Sequence, residues 1–238
     1  MKIEFASAFI LHQRPFRESS RLLDVFTEHH GRVNLFAKGV SNNKRSQKGV
    51  LQIYQPLLLS WMGQSDLATV TAVEAESAPY LLTGHASLCG LYINELLVRL
   101  FPRHIAEPDL FYGYKQVLAA LDAGKNIEIA LRLFEKQLLT HIGYGLVLDQ
   151  EVETELKIAD NKDYYYRPDA GLFCQTTQSN YPTISGRSLR HLITETDFDQ
   201  QSLNEIKKMM RSVIHFYLDG KPLQSRQLFA QMQTSNNS

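Results

Sequence analysis

The chain has 238 residues, 44% of them apolar and 21% charged, enough to bury one large core or two small ones without staples. Twenty-five Lys and Arg balance 25 Asp and Glu, so bulk charge carries no polyanion-binding signature and any such role must rest on local clustering. Two cysteines, Cys89 and Cys174, exclude a disulfide framework and a four-thiolate zinc site and read as reduced thiols, with one pairing between them left open.

Residues 1 to about 79 read as β structure. The run Phe5 to Leu11, broken by Ser7, is β-prone, and it is too short for a signal-peptide core. Arg21 to Thr27 reaches a turn at Glu28-His29-His30-Gly31, and Arg32 to Ala37 follows, which together predict a hairpin. A polar break runs from Gly39 to Gly49. Two further strands are predicted over Ile53 to Met62 and Leu67 to Val73, around a turn at Gly63-Gln64-Ser65-Asp66. Five short strands suggest a small barrel, and by pattern alone an OB-fold or an SH3-like barrel fits.

From Pro79 the period becomes helical. Leu88, Leu91, Tyr92, Glu95, Leu96 and Arg99 mark a first helix, with Pro102 beyond its end. Glu107-Pro108-Asp109 opens a second, stopped by Gly124. Asn126 is placed as the N-cap of a third, which carries Ile129, Leu133, Leu138 and Ile142 and ends at Gly143. Residues 150 to 183 are polar and irregular, with a strand pair expected around Tyr164-Tyr165-Tyr166 and Gly171-Leu172-Phe173-Cys174. Helices resume over Gly186 to Thr194 and Ser202 to Leu218, and the tail from Gln233 is expected to be disordered. The fold class is therefore α+β, with a barrel domain over 1–79 and a mostly helical domain over 80–238. No stretch approaches the roughly 20 apolar residues of a membrane helix, so a cytoplasmic protein without a membrane role is expected.

No catalytic pattern emerges. Neither Gly124-Lys125-Asn126 nor Gly220-Lys221-Pro222 completes a P-loop, and there is no G-x-S-x-G, H-E-x-x-H, C-x-x-C or dinucleotide fingerprint. His29-His30 lacks a nearby Cys or Asp to complete a ligand set, so no metal or cofactor is expected. The protein reads as a binder and not an enzyme. Local charge supports this: between Glu28 and Asp66 there is no acidic residue, while Arg32, Lys38, Lys44, Arg45 and Lys48 fall in that window. Such cations can follow a phosphate backbone, and Phe36 or Tyr54 would offer stacking faces to unpaired bases. The plain alternative is a solvated loop that keeps a strand edge soluble.

Particular residues add a resemblance. Ala8-Phe9-Ile10-Leu11-His12-Gln13-Arg14-Pro15-Phe16-Arg17-Glu18-Ser19-Ser20, then Leu23 to Glu28, resembles the opening of bacterial RecO proteins, as does Gly31-Arg32-Val33 continuing to Ala37-Lys38-Gly39. Leu91-Tyr92-Ile93-Asn94-Glu95-Leu96-Leu97 is similar to that family's first long C-terminal helix. Leu131-Arg132-Leu133-Phe134-Glu135 with Leu138-Leu139 and Gly143-Tyr144-Gly145 is similar to a later one, and Gly220-Lys221-Pro222-Leu223-Gln224-Ser225-Arg226-Gln227-Leu228-Phe229 to its C-terminal signature. The matches span about residues 8 to 230, in order.

The resemblance implies an N-terminal OB-fold, a helical C-terminal domain and a recombination mediator of DNA repair. Such a mediator anneals single-stranded DNA and, with RecR, helps RecA displace the single-strand-binding protein SSB. It implies a cytoplasmic protein that acts at the nucleoid during repair. A general RNA or single-strand nucleic-acid chaperone is the alternative. Arg32, Lys38, Lys44, Arg45 and Lys48 are then expected at the DNA backbone, with Arg32 and Lys38 foremost, Arg14 (with Arg17) extending the groove, and Lys221 and Arg226 as a second basic element. Arg132, beside Leu131 and Phe134, is expected to clamp the acidic SSB tail, or else to pair with Glu128 or Glu135 at helical spacing. Some family members carry a four-cysteine zinc site after Gly-Tyr; here that segment holds only Cys174. Packing around Tyr164, Tyr165, Tyr166, Leu172 and Phe173 is expected to replace the metal.

Overall fold

The computed structural model describes residues 2–16, 20–38, 49–63, 67–174 and 179–235. In chain order the elements are β1 (Lys2–Phe16), β2 (Ser20–Thr27), β3 (Gly31–Ala37), β4 (Leu57–Met62), β5 (Ala68–Ala75), α1 (Gly84–Leu100), α2 (Pro108–Ala123) and α3 (Ile127–His141). They continue with β6 (Asp163–Arg167), β7 (Gly171–Cys174), β8 (Thr183–Ser185), α4 (Gly186–Thr194), α5 (Gln200–Tyr217) and α6 (Gln224–Ser235). The chain forms two compact units. The first takes everything up to Lys125 together with the segment from Gln224 onward, and the second is Asn126–Leu223.

The first unit is built on a closed barrel of order β1-β2-β3-β5-β4. The closing pair is parallel, Leu35 opposite Ala68 and Phe36 opposite Thr69, while the other neighbours are antiparallel. That order decides the choice left open by the strand pattern: the barrel is of the OB type. β1 serves two partners, pairing with β4 through its first half and with β2 through its second. Register shifts at Ile3/Ala6 and Ile10/His12 bend it around the barrel, as bulges do. Ala8, Ile10, Leu23, Val25, Val33, Leu35, Leu57, Leu59 and Trp61 fill the interior. At the β2–β3 turn Gly31 has φ +64, and a Cβ there would lie 2.1 Å from the carbonyl oxygen of Ile105. Only glycine fits.

The outer face of β1 and β2 is apolar at one end. Phe9 and Phe26 are both fully buried. Phe9 meets Phe111 and Tyr114 of α2 at 5.6 and 5.1 Å between ring centroids, and Phe26 meets Phe101 and Phe111 at 5.5 and 5.4 Å. Tyr114 donates its hydroxyl hydrogen bond to Asn94 Oδ1 at 2.6 Å, and Asn94 Nδ2 donates to the Leu11 carbonyl at 2.9 Å, where β1 shifts register. Glu95 turns the other way. Its carboxylate accepts from the backbone N–H groups of Gln224 and Ser225 and from the Ser225 hydroxyl, at 2.7–2.9 Å, and so caps the start of α6. The Asn94-Glu95 pair therefore ties barrel, α1 and C-terminal helix together.

In the second unit β7-β6-β8 form an antiparallel sheet. Tyr164, Tyr166, Leu172 and Ile184 pack with Leu189, Leu192, Ile206, Met209, Met210 and Val213 of α4 and α5. On the opposite face Tyr165 stacks on Phe173 at 5.5 Å. Ser185 caps α4, accepting from the Ser188 N–H, and Asp199 with Ser202 forms a reciprocal capping box on α5.

Several expectations need correction. The strand predicted from Ile53 starts only at Leu57, because Tyr54 has φ +63 and Pro56 has no N–H to give a ladder. Tyr54 is 5% exposed, so it offers no stacking face. Asn126 precedes α3 with φ +52 and makes no side-chain cap. Strand β8 was not anticipated. Nor was α6, which includes Gln233 to Ser235 of the tail expected to be disordered; residues 236–238 lie outside the described residues. Among the described residues no helix is long and apolar enough to cross a membrane.

Candidate nucleic-acid interface

Beyond the part covered by α1 and α2, the outer face of β1–β2–β3 carries exposed His12, Arg14 and Phe16 among the described residues. Register sets its rows: His12 opposite Asp24 opposite Asn34, then Arg14 opposite Leu22 opposite Phe36, then Phe16 opposite Ser20. Alternation along each strand places these side chains outward, because Leu23, Val25, Val33 and Leu35 point into the core. Phe16, 38% exposed, meets half-buried Phe36 edge-on at 5.6 Å. The Lys38 ammonium lies 6.0 Å from the Phe36 ring centroid, and both Lys38 and Arg14 are exposed. Two aromatic rings and two exposed cations thus share one patch. It is the face on which OB barrels take oligonucleotides.

Arg103 joins this face from the segment after α1. It is exposed, and Asn34, with its amide oxygen turned toward it, accepts from both terminal guanidinium nitrogens at 3.0 and 3.1 Å. Sequence reading passed over Arg103 and over Phe16 as a stacking ring. Arg103 gave no local signal, since only tertiary folding carries it to β3. Phe16 was hidden because the register shift at Ile10/His12 reverses the parity of β1, so alternation continued from Ala8 and Ile10 places it inside.

Arg32, expected among the foremost DNA contacts, is 8% exposed. Its Nη1 donates to the carbonyls of Leu97 (2.7 Å) and Val98 near the C-terminal end of α1, and its Nε lies 3.4 Å from Asp24 Oδ1. A nearly buried cation held by a helix's last carbonyls serves the fold. Asp24 is pushed above its ordinary carboxylate range, burial outweighing the nearby charges of Arg32, Arg103 and His12. Lys44, Arg45, Lys48 and Arg17 lie outside the described residues.

The other expected positions are dispersed. Lys221 is exposed, 3.9 Å from Asp219, in the second unit. Arg226 lies half-buried on α6, in the first unit, with its guanidinium 5.8 Å from the ring centroid of Tyr92. Arg132 is 6% exposed and pairs with the fully buried Glu135 at 2.8 Å; Leu131 and Phe134 are buried as well. The helical-spacing pairing, and not a surface clamp, is what this arrangement holds. Among the described residues no three His, Cys, Asp or Glu side chains come together as metal ligands, and neither cysteine forms a disulfide.

The barrel order defines an OB-type barrel protein with a helical C-terminal region. Residues 1–78 match the family described as Recombination protein O N terminal, and residues 81–227 match Recombination protein O C terminal. The chain is 42% identical over 228 residues to the DNA repair protein RecO of Coxiella burnetii strain RSA 493, covering 95% of this chain and 98% of that one. It is 41% identical over 225 residues to DNA repair protein RecO of Serratia proteamaculans, covering 94% and 92%, and 38% identical over 240 residues to that of Nitrosococcus oceani, covering 100% and 97%. The chain belongs to the RecO family of DNA-repair proteins.

Proposed function

We propose that this protein binds single-stranded DNA on the outer face of β1–β2–β3 and anneals complementary strands, making and breaking no covalent bond. The observation that carries this reading is the shared patch of Phe16, Phe36, Arg14 and Lys38. Rings stack on bases whatever the sequence, and flexible cations follow phosphates. A strand held by its backbone keeps its pairing edges free for a complement. Family membership supports the same role, and with it the expected handover partners: SSB on the coated strand, RecR as co-mediator and RecA as the protein loaded. No surface contact to those three is assigned.

The test is annealing of SSB-coated complementary strands by the full chain, with Arg14→Glu/Lys38→Glu against wild type. The double charge reversal should slow annealing at least tenfold and weaken single-strand binding. Its log–log salt slope should be shallower by about 1.4, taking roughly 0.7 per phosphate contact. Unchanged rate and slope would remove the barrel face from the mechanism. Equal-length RNA competing as well as DNA would favour a general single-strand chaperone.

A further inference from the structure

The second unit carries a surface groove of about 690 Å³ lined by Tyr144, His215, Phe216, Tyr217, Asp219 and Gly220. Its walls are aromatic and accessible. Tyr144 and Phe216 are 47% and 46% exposed. Tyr144 stacks on Tyr217 at 4.0 Å with 15° between the planes, and Phe216 meets Tyr217 edge-on at 5.3 Å. Tyr217 is pinned beneath them by its hydroxyl, which donates to the Pro168 carbonyl at 2.8 Å. The floor is a helix end: Gly220 N–H bonds the His215 carbonyl and Asp219 N–H bonds the Phe216 carbonyl, the paired bonds of a Schellman turn. A preformed ring stack with one open face is thus presented on a fixed turn.

Basic side chains lead into it. Lys208, Arg211 and His215 are all exposed and follow one another at i, i+3 and i+7 on α5, so they share one helix face. Among the described residues neither Lys208 nor Arg211 has an ion-pair partner. At 1.5 Å per residue the row spans about 10 Å along the helix. Lys221 continues beyond the turn, 3.9 Å from Asp219.

We infer that this groove is a second single-stranded nucleic-acid site, in which α5 follows the backbone and a base stacks on Tyr144 and Phe216. An acidic peptide with an apolar end would also meet cations and rings. Asp219 favours the nucleic acid: its carboxylate accepts from the exocyclic amine of a base such as cytosine, a donor that the acidic and apolar side chains of such a tail lack. The inference goes beyond the barrel reading, and it gives the molecule a separate grip on unpaired strand.

The probe is a deoxycytidine-rich oligonucleotide carrying 5-iododeoxyuridine. Anisotropy is measured on the full chain as wild type, Tyr144→Ala/Phe216→Ala, Lys208→Gln/Arg211→Gln and the barrel variant Arg14→Glu/Lys38→Glu. All three substituted side-chain pairs are solvent-accessible, and circular dichroism checks folding. Removing the two rings should weaken binding about tenfold, and removing the two cations should flatten the salt slope by about 1.4. Irradiation should attach the probe to Tyr144 or Phe216, including in the barrel variant. Wild-type affinity and slope in both groove variants, or adducts confined to the barrel, overturn the inference. So does an acidic peptide that loses binding in Tyr144→Ala/Phe216→Ala while DNA affinity stays intact, since the groove is then a protein-docking site. Normal binding by the barrel variant alone sinks only the barrel reading.

Discussion

Arg32 and Asp24 face each other at 3.4 Å, yet neither Arg32 Nε nor Asp24 Oδ1 completes a hydrogen bond among the described residues. The reason is that Arg32 spends its Nη1 on the Leu97 and Val98 carbonyls. Asp24 is left half-buried with an incomplete partner, and its folded pKa stands above the ordinary 3.8. A raised acid favours the protonated form on folding. Its stabilising contribution is therefore fully present below 3.8 and is lost as pH rises through the raised value. Asp24→Asn should hold stability at neutral pH and flatten the acid-side rise; urea unfolding in pH steps reads this, and an unaltered profile excludes Asp24 as its source. Arg32→Ala strands a half-buried carboxylate and two helix-end carbonyls, so it should cost about 3 kcal/mol. The folded fraction should keep its affinity for single-stranded DNA. Loss of affinity at unchanged stability would instead return Arg32 to the DNA surface.

The C-terminal helix depends on one carboxylate. Glu95 accepts three hydrogen bonds from Gln224 and Ser225, and Arg226 lies over Tyr92 three residues earlier on α1. Glu95→Ala removes every one of those acceptors at the helix start, where orphan N–H groups most need them. Amides of α6 should then exchange hydrogen at least tenfold faster while those of β2 and β3 keep their protection; uniform protection would show that other contacts hold the helix. Neither half of this link is visible locally. The Leu91-to-Leu97 run announces a helix by its period, and Gly220-Lys221-Pro222 announces a break, but nothing adjacent to either says that residues some 130 apart are hydrogen-bonded. Helix periods and strand alternation were legible because they are local. Tyr54, Arg32 and α6 were not, because their burial and partners come from distant chain.

At the scale of the whole molecule, the change of period near residue 79 is not where contacts divide. Helices α1 and α2 belong to the same compact unit as the barrel, and α6 returns to it. The physical cause is the outer face of β1 and β2, where Phe9 and Phe26 are covered by Phe101, Phe111 and Tyr114. A fragment ending at Pro79 uncovers both phenylalanines. At about 150–250 Å² per ring that bares roughly 300–500 Å², as large as the largest apolar patch most monomers tolerate. Such a fragment should bind a hydrophobic dye, self-associate and melt without cooperativity. One ending at Lys125 keeps the covering helices and should recover most of the cooperative transition. Asn126–Leu223, with its own core around Tyr164, Ile206 and Met210, should melt cooperatively by itself. A monomeric 1–79 fragment with a sharp melt would show that the barrel holds its shape without α1 and α2, and these four aromatic contacts would then serve only to fasten helices to an independent domain.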